Sequence, residues 1–185
     1  YAGSLVLGRE AYVGGGIQKF REARALWNGP DAHAEFLERS RKDAFDIAEI
    51  LDLDLIRPSY WRMPQKPNRK IDEYTYLYGS EEAGDWQVLN FDPTTELYQV
   101  VAEAPKPQPT VEDLEKSVPR EPFDPDSYRP GPSAFPDLVA AVERFGAHRA
   151  IPGSGVSLCI PREPIWLEAC LVRPELVARY LDRQV

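Results

Sequence analysis

Basic residues are scarce in this sequence and nowhere clustered: 22 Lys and Arg stand against 30 Asp and Glu, a net charge of -8 over 185 residues. Nucleic acid is therefore not an expected partner, because neutralising phosphates needs grouped Lys and Arg. Long apolar runs are missing as well. None approaches the roughly 18 consecutive apolar residues of a membrane-spanning helix, so no membrane partner is expected. The opening Tyr1–Gly8 stretch has neither the basic n-region nor the long apolar h-region of a signal peptide. Cysteine is limited to Cys159 and Cys170, too few for a disulfide scaffold, and each is expected to be a small buried thiol. His33 and His148 lie far apart and form no ligand cluster with the cysteines, so no metal site built wholly from this segment is expected. The expected location is cytoplasmic.

Proline is what the chain has in plenty. Eighteen are present, concentrated between Pro105 and Pro136, and aromatic and aliphatic residues interrupt them. Residues 103–133 thus read as a Pro-rich connector ordered by its contacts. Inside it, Thr110 and Asp113 have the spacing of a reciprocal helix cap. No internal repeat is present. No Met opens the chain at Tyr1, and it stops at Val185 on a helix-forming pattern, so the expectation is part of a larger domain.

Apolar spacing marks the regular elements. After Gly14-Gly15-Gly16, residues Ile17, Phe20, Ala23 or Arg24, and Trp27 recur at helical period, and Asn28-Gly29-Pro30 ends that helix. A second helix is expected from Ala32 to Leu51 with Asp31 as its cap. Its apolar stripe is Phe36, Leu37, Ala44, Ile47, Ala48 and Leu51, with Glu38, Arg39, Arg41, Lys42 and Asp43 outward. Leu53 to Arg57 reads as a short strand stopped by Pro58. Three β-rich runs, from Tyr74, Trp86 and Leu97, predict an antiparallel meander over 72–102 with its tyrosines on one face. An amphipathic helix from Ala134, with Pro136 near its first turn and Gly146 at its end, follows. A second strand then begins at Ala150-Ile151, and closing helices start at Pro164 and Pro174.

Five stretches in this order resemble the uroporphyrinogen decarboxylase superfamily, which includes the decarboxylase of haem synthesis and corrinoid-linked methyltransferases. Phe20-Arg21-Glu22-Ala23-Arg24 looks like its FRE-x-R helix. Leu51-Asp52-Leu53-Asp54-Leu55-Ile56 is similar to the approach to its first barrel strand, G-x-D-A-x-I. Pro109 to Leu114 resembles the signature before the next barrel helix, and Ile151 to Gly155 the end of the second strand. Leu171-Val172-Arg173-Pro174-Glu175-Leu176-Val177 is similar to the x-x-P-E-L-V helix start. The resemblance implies an α/β fold: the N-terminal part of a (β/α)8 TIM barrel over 1–185, incomplete, with N-terminal helices and the meander inserted.

The resemblance also implies where chemistry would sit. Barrel active sites form on the loops after the strands. Here those loops offer Tyr60, Trp61 and Arg62 as an aromatic wall and anion clamp, and Gly153, Ser154 and Gly155 as a close backbone approach to substrate. The plainer alternative has Trp61 plugging the barrel mouth, Arg62 paired with an acidic loop, and the glycines making a tight turn. Asp52 and Asp54 read as solvated carboxylates before they read as an acid–base pair. In register, Ala11 and Gly15 stand where the decarboxylase has catalytic arginines, with Arg9 nearby, and no carboxylate falls at its strand-one aspartate position near Tyr60-Trp61. No catalytic residue is assigned. These departures turn the expected activity toward the methyltransferase type, with the decarboxylase and a non-enzymatic binding module as alternatives. Zinc and a corrinoid are the cofactors implied for a full-length methyltransferase, none of them bound by this segment. The implied partners are a small tetrapyrrole or methyl-donor substrate, a corrinoid protein, and a second copy in a homodimer.

Overall fold

A computed structural model describes residues 2–57, 62–63, 65–105, 108–120, 131–152 and 159–183. In chain order the elements are α1 (Ala2–Leu7), α2 (Gly16–Asn28), α3 (Pro30–Ile50), β1 (Arg69–Lys70), β2 (Thr75–Tyr78), β3 (Gln87–Asp92) and β4 (Leu97–Glu103). They continue with α4 (Val111–Ser117), a 3-10 turn (Pro132–Ala134), α5 (Pro136–Phe145), α6 (Pro164–Val172) and α7 (Pro174–Asp182). The chain divides into two compact units, Tyr1–Pro105 with Phe135–Pro152, and Lys106–Ala134 with Gly153–Val185. No helix among the described residues is long and apolar enough to cross a membrane.

In the first unit a single residue joins α2 to α3. Gly29 adopts φ 122°, a left-handed-side conformation that glycine tolerates best, and Pro30 opens α3. The cap is therefore Gly29 and not the expected Asp31. Proline at the first position has no N–H to satisfy, and Asp31 instead lies in the first turn, where its charge suits the positive helix end. The helix α2 is buried on two sides. Phe20 and Ala23, with Ile17 and Trp27 half-buried beside them, pack on the sheet, where Phe20 stacks on Phe91 with centroids 4.3 Å apart. Gln18, Arg21, Glu22 and Ala25 are buried as well, and Gln18 donates to Ser40 of α3 at 2.9 Å.

The sheet is antiparallel in the order β1-β2-β3-β4 and spans 69–103, so Arg69–Lys70 adds a strand ahead of the three expected runs. Tyr76 and Tyr78 do share the face against α2, but Thr75 and Leu77 are buried too, so β2 is covered on both faces. A register shift at Val88/Leu89, opposite Ala102 and Val100, leaves Val101 as an extra residue on the edge strand β4.

The run from Leu53 to Arg57 forms no full strand. It makes one parallel bridge, Leu55 to Ala150, in which Ala150 N–H donates to Asp54 O and Ile56 N–H to Ala150 O, each at 2.9 Å. Ile56 packs with Phe45 and Ala48 of α3 and with Ala141 and Phe145 of α5, whereas Leu55 on the opposite side is 46% exposed. Arg149 braces the junction by donating to Ala48 O, Leu53 O and Asp52 Oδ1. Leu51, expected in the buried stripe of α3, is exposed. It follows the last helical residue, and the chain turns away there.

In the second unit α4, α6 and α7 enclose Val111, Leu114, Val118, Trp166, Ala169, Leu176 and Val177. Thr110 and Asp113 form the reciprocal cap of α4, and Arg173, at the α6–α7 joint, pairs with Glu175 and with Glu115 of α4 at 2.7 Å each. Cys170 is half-buried against this core, but Cys159, expected to be buried, is exposed. The neighbouring Ile160 takes the core-facing position instead.

Candidate functional site

Of the residues singled out for substrate binding, Tyr60, Trp61, Gly153, Ser154 and Gly155 lie outside the described residues. Arg62 lies within them, and its surroundings form the most elaborate polar site of the first unit. Its Nε donates to Glu22 Oε1 at 2.7 Å, and its Nη1 stands 3.8 Å from Asp137 Oδ2. The partners are thus helical carboxylates, on α2 and at the first turn of α5, and not an acidic loop.

Glu22 is fully buried. Beyond Arg62, its Oε1 lies 3.1 Å from His33 Nε2 on α3, and its Oε2 accepts from the Met63 N–H at 2.7 Å. A carboxylate withdrawn from water is tolerable only when paired and hydrogen-bonded. Here one cation, one imidazole and one amide supply that. The single-residue joint between α2 and α3 makes the helices run back along each other, which brings Glu22 and His33 together. Asp137, for its part, also accepts from Arg41 Nε of α3 at 2.7 Å. Two carboxylates and two guanidiniums thus alternate across α2, α3, α5 and the loop after Arg57.

A second polar knot lies at the other end of the α2–α3 pair. Asp43, expected to face outward, is fully buried. It accepts from Arg9 Nη2 at 2.6 Å and from the Tyr12 N–H at 2.7 Å, which ties the segment before α2 to α3. That bond to Asp43 raises the pKa of Arg9 above its usual value. Arg21 donates to Ala11 O and pairs with Glu10 at 2.5 Å. The Arg39 and Arg21 guanidiniums lie 3.9 and 4.9 Å from the Tyr12 ring centroid. Arg9, Arg21 and Arg39 are thus each engaged by protein groups.

No protein-family model, curated protein or solved structure matches the chain.

Under α2 the sheet presents three tyrosine hydroxyls, of which that of Tyr78 is coupled electrostatically to Glu22. Tyr78 and Tyr98 oxygens are 3.2 Å apart in the buried layer under α2. Burial pushes Tyr78 up to about 12, partly offset by its bond to Tyr98, and Glu22 adds to the rise. Burial also raises Tyr98, with its bond to Tyr78 acting in the same direction, and burial raises Tyr76 against the opposing charge of Arg24. The Tyr76 hydroxyl is buried without a hydrogen-bond partner. These groups stay neutral over the physiological range and act as dipoles, not as bases.

Chemically, the Arg62 site can hold an anion, because a half-exposed guanidinium with a planar fork matches a carboxylate. Among the described residues, no group of three His, Cys, Asp or Glu side chains is placed to hold a metal ion. Asp52 and Asp54 form no acid–base pair: Asp52 points into solvent and is engaged by Arg149. Glu22, His33, Asp43 and Asp137 were not singled out from sequence as site residues. The available signal was a polar stripe on α2, Gln18, Arg21 and Glu22 at i, i+3 and i+4, beside the Phe20 face.

Proposed function

We propose that this chain is the N-terminal part of a uroporphyrinogen decarboxylase-family barrel enzyme, of the type that moves a methyl group between a corrinoid and a thiol. The observation that carries this reading is the parallel bridge of Leu55 and Ala150, with α5 lying before the second partner and packing on the same core as Ile56. Parallel pairing with a covering helix is how a β/α unit begins. Arg62 follows the first of these segments, on the side where barrel enzymes place substrate-binding loops.

The methyltransferase reading is favoured over the decarboxylase because the second polar knot engages Arg9 and Arg21, which flank the expected arginine positions, with protein carboxylates. Ala11 and Gly15 occupy the expected arginine positions, and Arg9 is engaged by Asp43 and Asp46. Zinc in such enzymes stabilises a thiolate at neutral pH. The described residues do not fit that metal. What they provide is an anion contact at Arg62, held in place by Glu22 and Asp137.

Titration of the chain with hydroxocobalamin, followed by its visible spectrum, tests the reading. A saturable spectral change is expected, weakened by Arg62→Ala. Binding of uroporphyrinogen without any corrinoid response would shift the assignment to the decarboxylase. Failure of both ligands would leave only a binding module.

A further inference from the structure

The geometry points to Arg62 as a releasable latch: its guanidinium leaves Glu22 and Asp137 to take a carboxylate of a small-molecule ligand. This deepens the proposed function and rests on its reading of the loop after Arg57 as a ligand-facing loop.

Three features of the cluster carry the inference. Arg62 is 39% exposed, whereas the Glu22 side chain is 0% and the Asp137 side chain 15% exposed, so the cation is the member that solvent and solutes can reach. Glu22 does not depend on Arg62 alone, since His33 Nε2 and the Met63 N–H remain within hydrogen-bond distance of its two oxygens. Asp137 likewise keeps Arg41 at 2.7 Å. Removing a partner from a buried charge is costly when nothing replaces it. Here each carboxylate has a substitute already in place, so release of Arg62 strands neither.

The class of ligand follows from what Arg62 binds now. Both of its partners are carboxylates, and exchange for a third carboxylate conserves the charge-assisted bonds of the guanidinium. A ligand that binds only the released form shifts the population toward it, and anything that weakens the resting contact strengthens apparent affinity. Glu22 and Asp137 are therefore competitors of the ligand. His33 from α3 and Arg41 from α3 are the groups that face the vacated carboxylates, with the Tyr78 hydroxyl of β2 electrostatically coupled to Glu22.

The test follows the Nε–H signal of Arg62 in the 15N-arginine-labelled chain, identified by its loss in Arg62→Gln, during separate titrations with citrate and inorganic phosphate. Citrate is expected to move the signal saturably and at lower concentration than phosphate. Glu22→Gln and Asp137→Asn are each expected to tighten citrate binding several-fold, and Arg62→Gln to abolish it. If Glu22→Gln fails to fold, the half-buried Asp137→Asn still decides. An unmoved signal, a stronger response to phosphate, or unchanged affinity in the folded competitor variants would overturn the latch. No corrinoid is used, so a chain that answers hydroxocobalamin but not citrate loses the latch alone, and the converse loses the family reading alone.

Discussion

Arg62 donates its Nε–H to Glu22 across 2.7 Å, a half-exposed cation closing over a carboxylate that solvent does not reach. The two members of this pair are unequal in what they hold together. Glu22→Ala removes the acceptor of three donors and is expected to cost about 2–3 kcal/mol. Arg62→Gln removes one donor of three and is expected to cost about 1 kcal/mol or less, since exposure screens the pair. Urea unfolding followed by circular dichroism measures both, and equal losses would contradict the asymmetry.

Gly16 begins α2 directly over the β3–β4 turn and the start of β4. A Cβ there would clash with Glu96 O and lie 2.8 Å from Tyr98 N and 2.9 Å from Leu97 Cα. All three are backbone atoms that cannot rotate aside. Gly16→Ala is expected to destabilise by about 1–3 kcal/mol, while Gly15→Ala, with nothing within 4 Å, leaves stability nearly unchanged. Thermal melts of the two variants provide the comparison, and a loss at Gly15 matching that at Gly16 would remove the steric account.

The tyrosine layer predicts alkaline sensitivity. A tyrosine whose folded-state value lies above its unfolded value near 10 favours the folded chain below about pH 10. That contribution is lost as pH rises through the folded value, which for Tyr78 is about 12. Stability should therefore fall on the order of 2 kcal/mol between about pH 10 and pH 12. Tyrosinate absorbance should report late ionisation of Tyr76, Tyr78 and Tyr98 together with unfolding. Early, reversible ionisation of all nine tyrosines with structure intact would refute their burial.

The second unit carries an uncovered apolar stripe. Leu167 and Leu171 lie one turn apart on α6 and are 64% and 85% exposed. Replacing both with Gln is expected to raise solubility and lower binding of a hydrophobic dye while moving the melting temperature little, because neither side chain packs in the core. A substantial drop in melting temperature would show that they are packed.

Apolar periodicity made α2, α3, the meander and the Pro-led helices legible in the sequence, because each buries a face of Phe, Tyr, Ile or Ala. It failed where burial is polar. Asp43 read as a solvated residue since carboxylates usually are, yet Arg9 and the Tyr12 N–H, far back in the chain, make its burial tolerable. Glu22 was hidden for the same reason: its partners Arg62 and His33 lie 40 and 11 residues away. Arg62 was singled out as a charged loop residue, but its helical partners Glu22 and Asp137 were beyond reach of local pattern. Spacing reports which faces are apolar; it does not report which charges meet.

The bridge between Leu55 and Ala150 joins segments separated by the whole meander and the Pro-rich connector. Its closure entropy must be met before any of its contacts reward it, whereas the α2–α3 joint and the β2–β3 and β3–β4 turns close locally. The expected order of folding is thus hairpins first and bridge last. In pulse-labelling hydrogen exchange the Ile56 and Ala150 amides should gain protection after those of β2 and β3. A chain still emerging from the ribosome would then hold its sheet for some time before the Leu55 segment finds its neighbour, and Ile56, buried in the finished fold, stays open to wrong contacts throughout that wait.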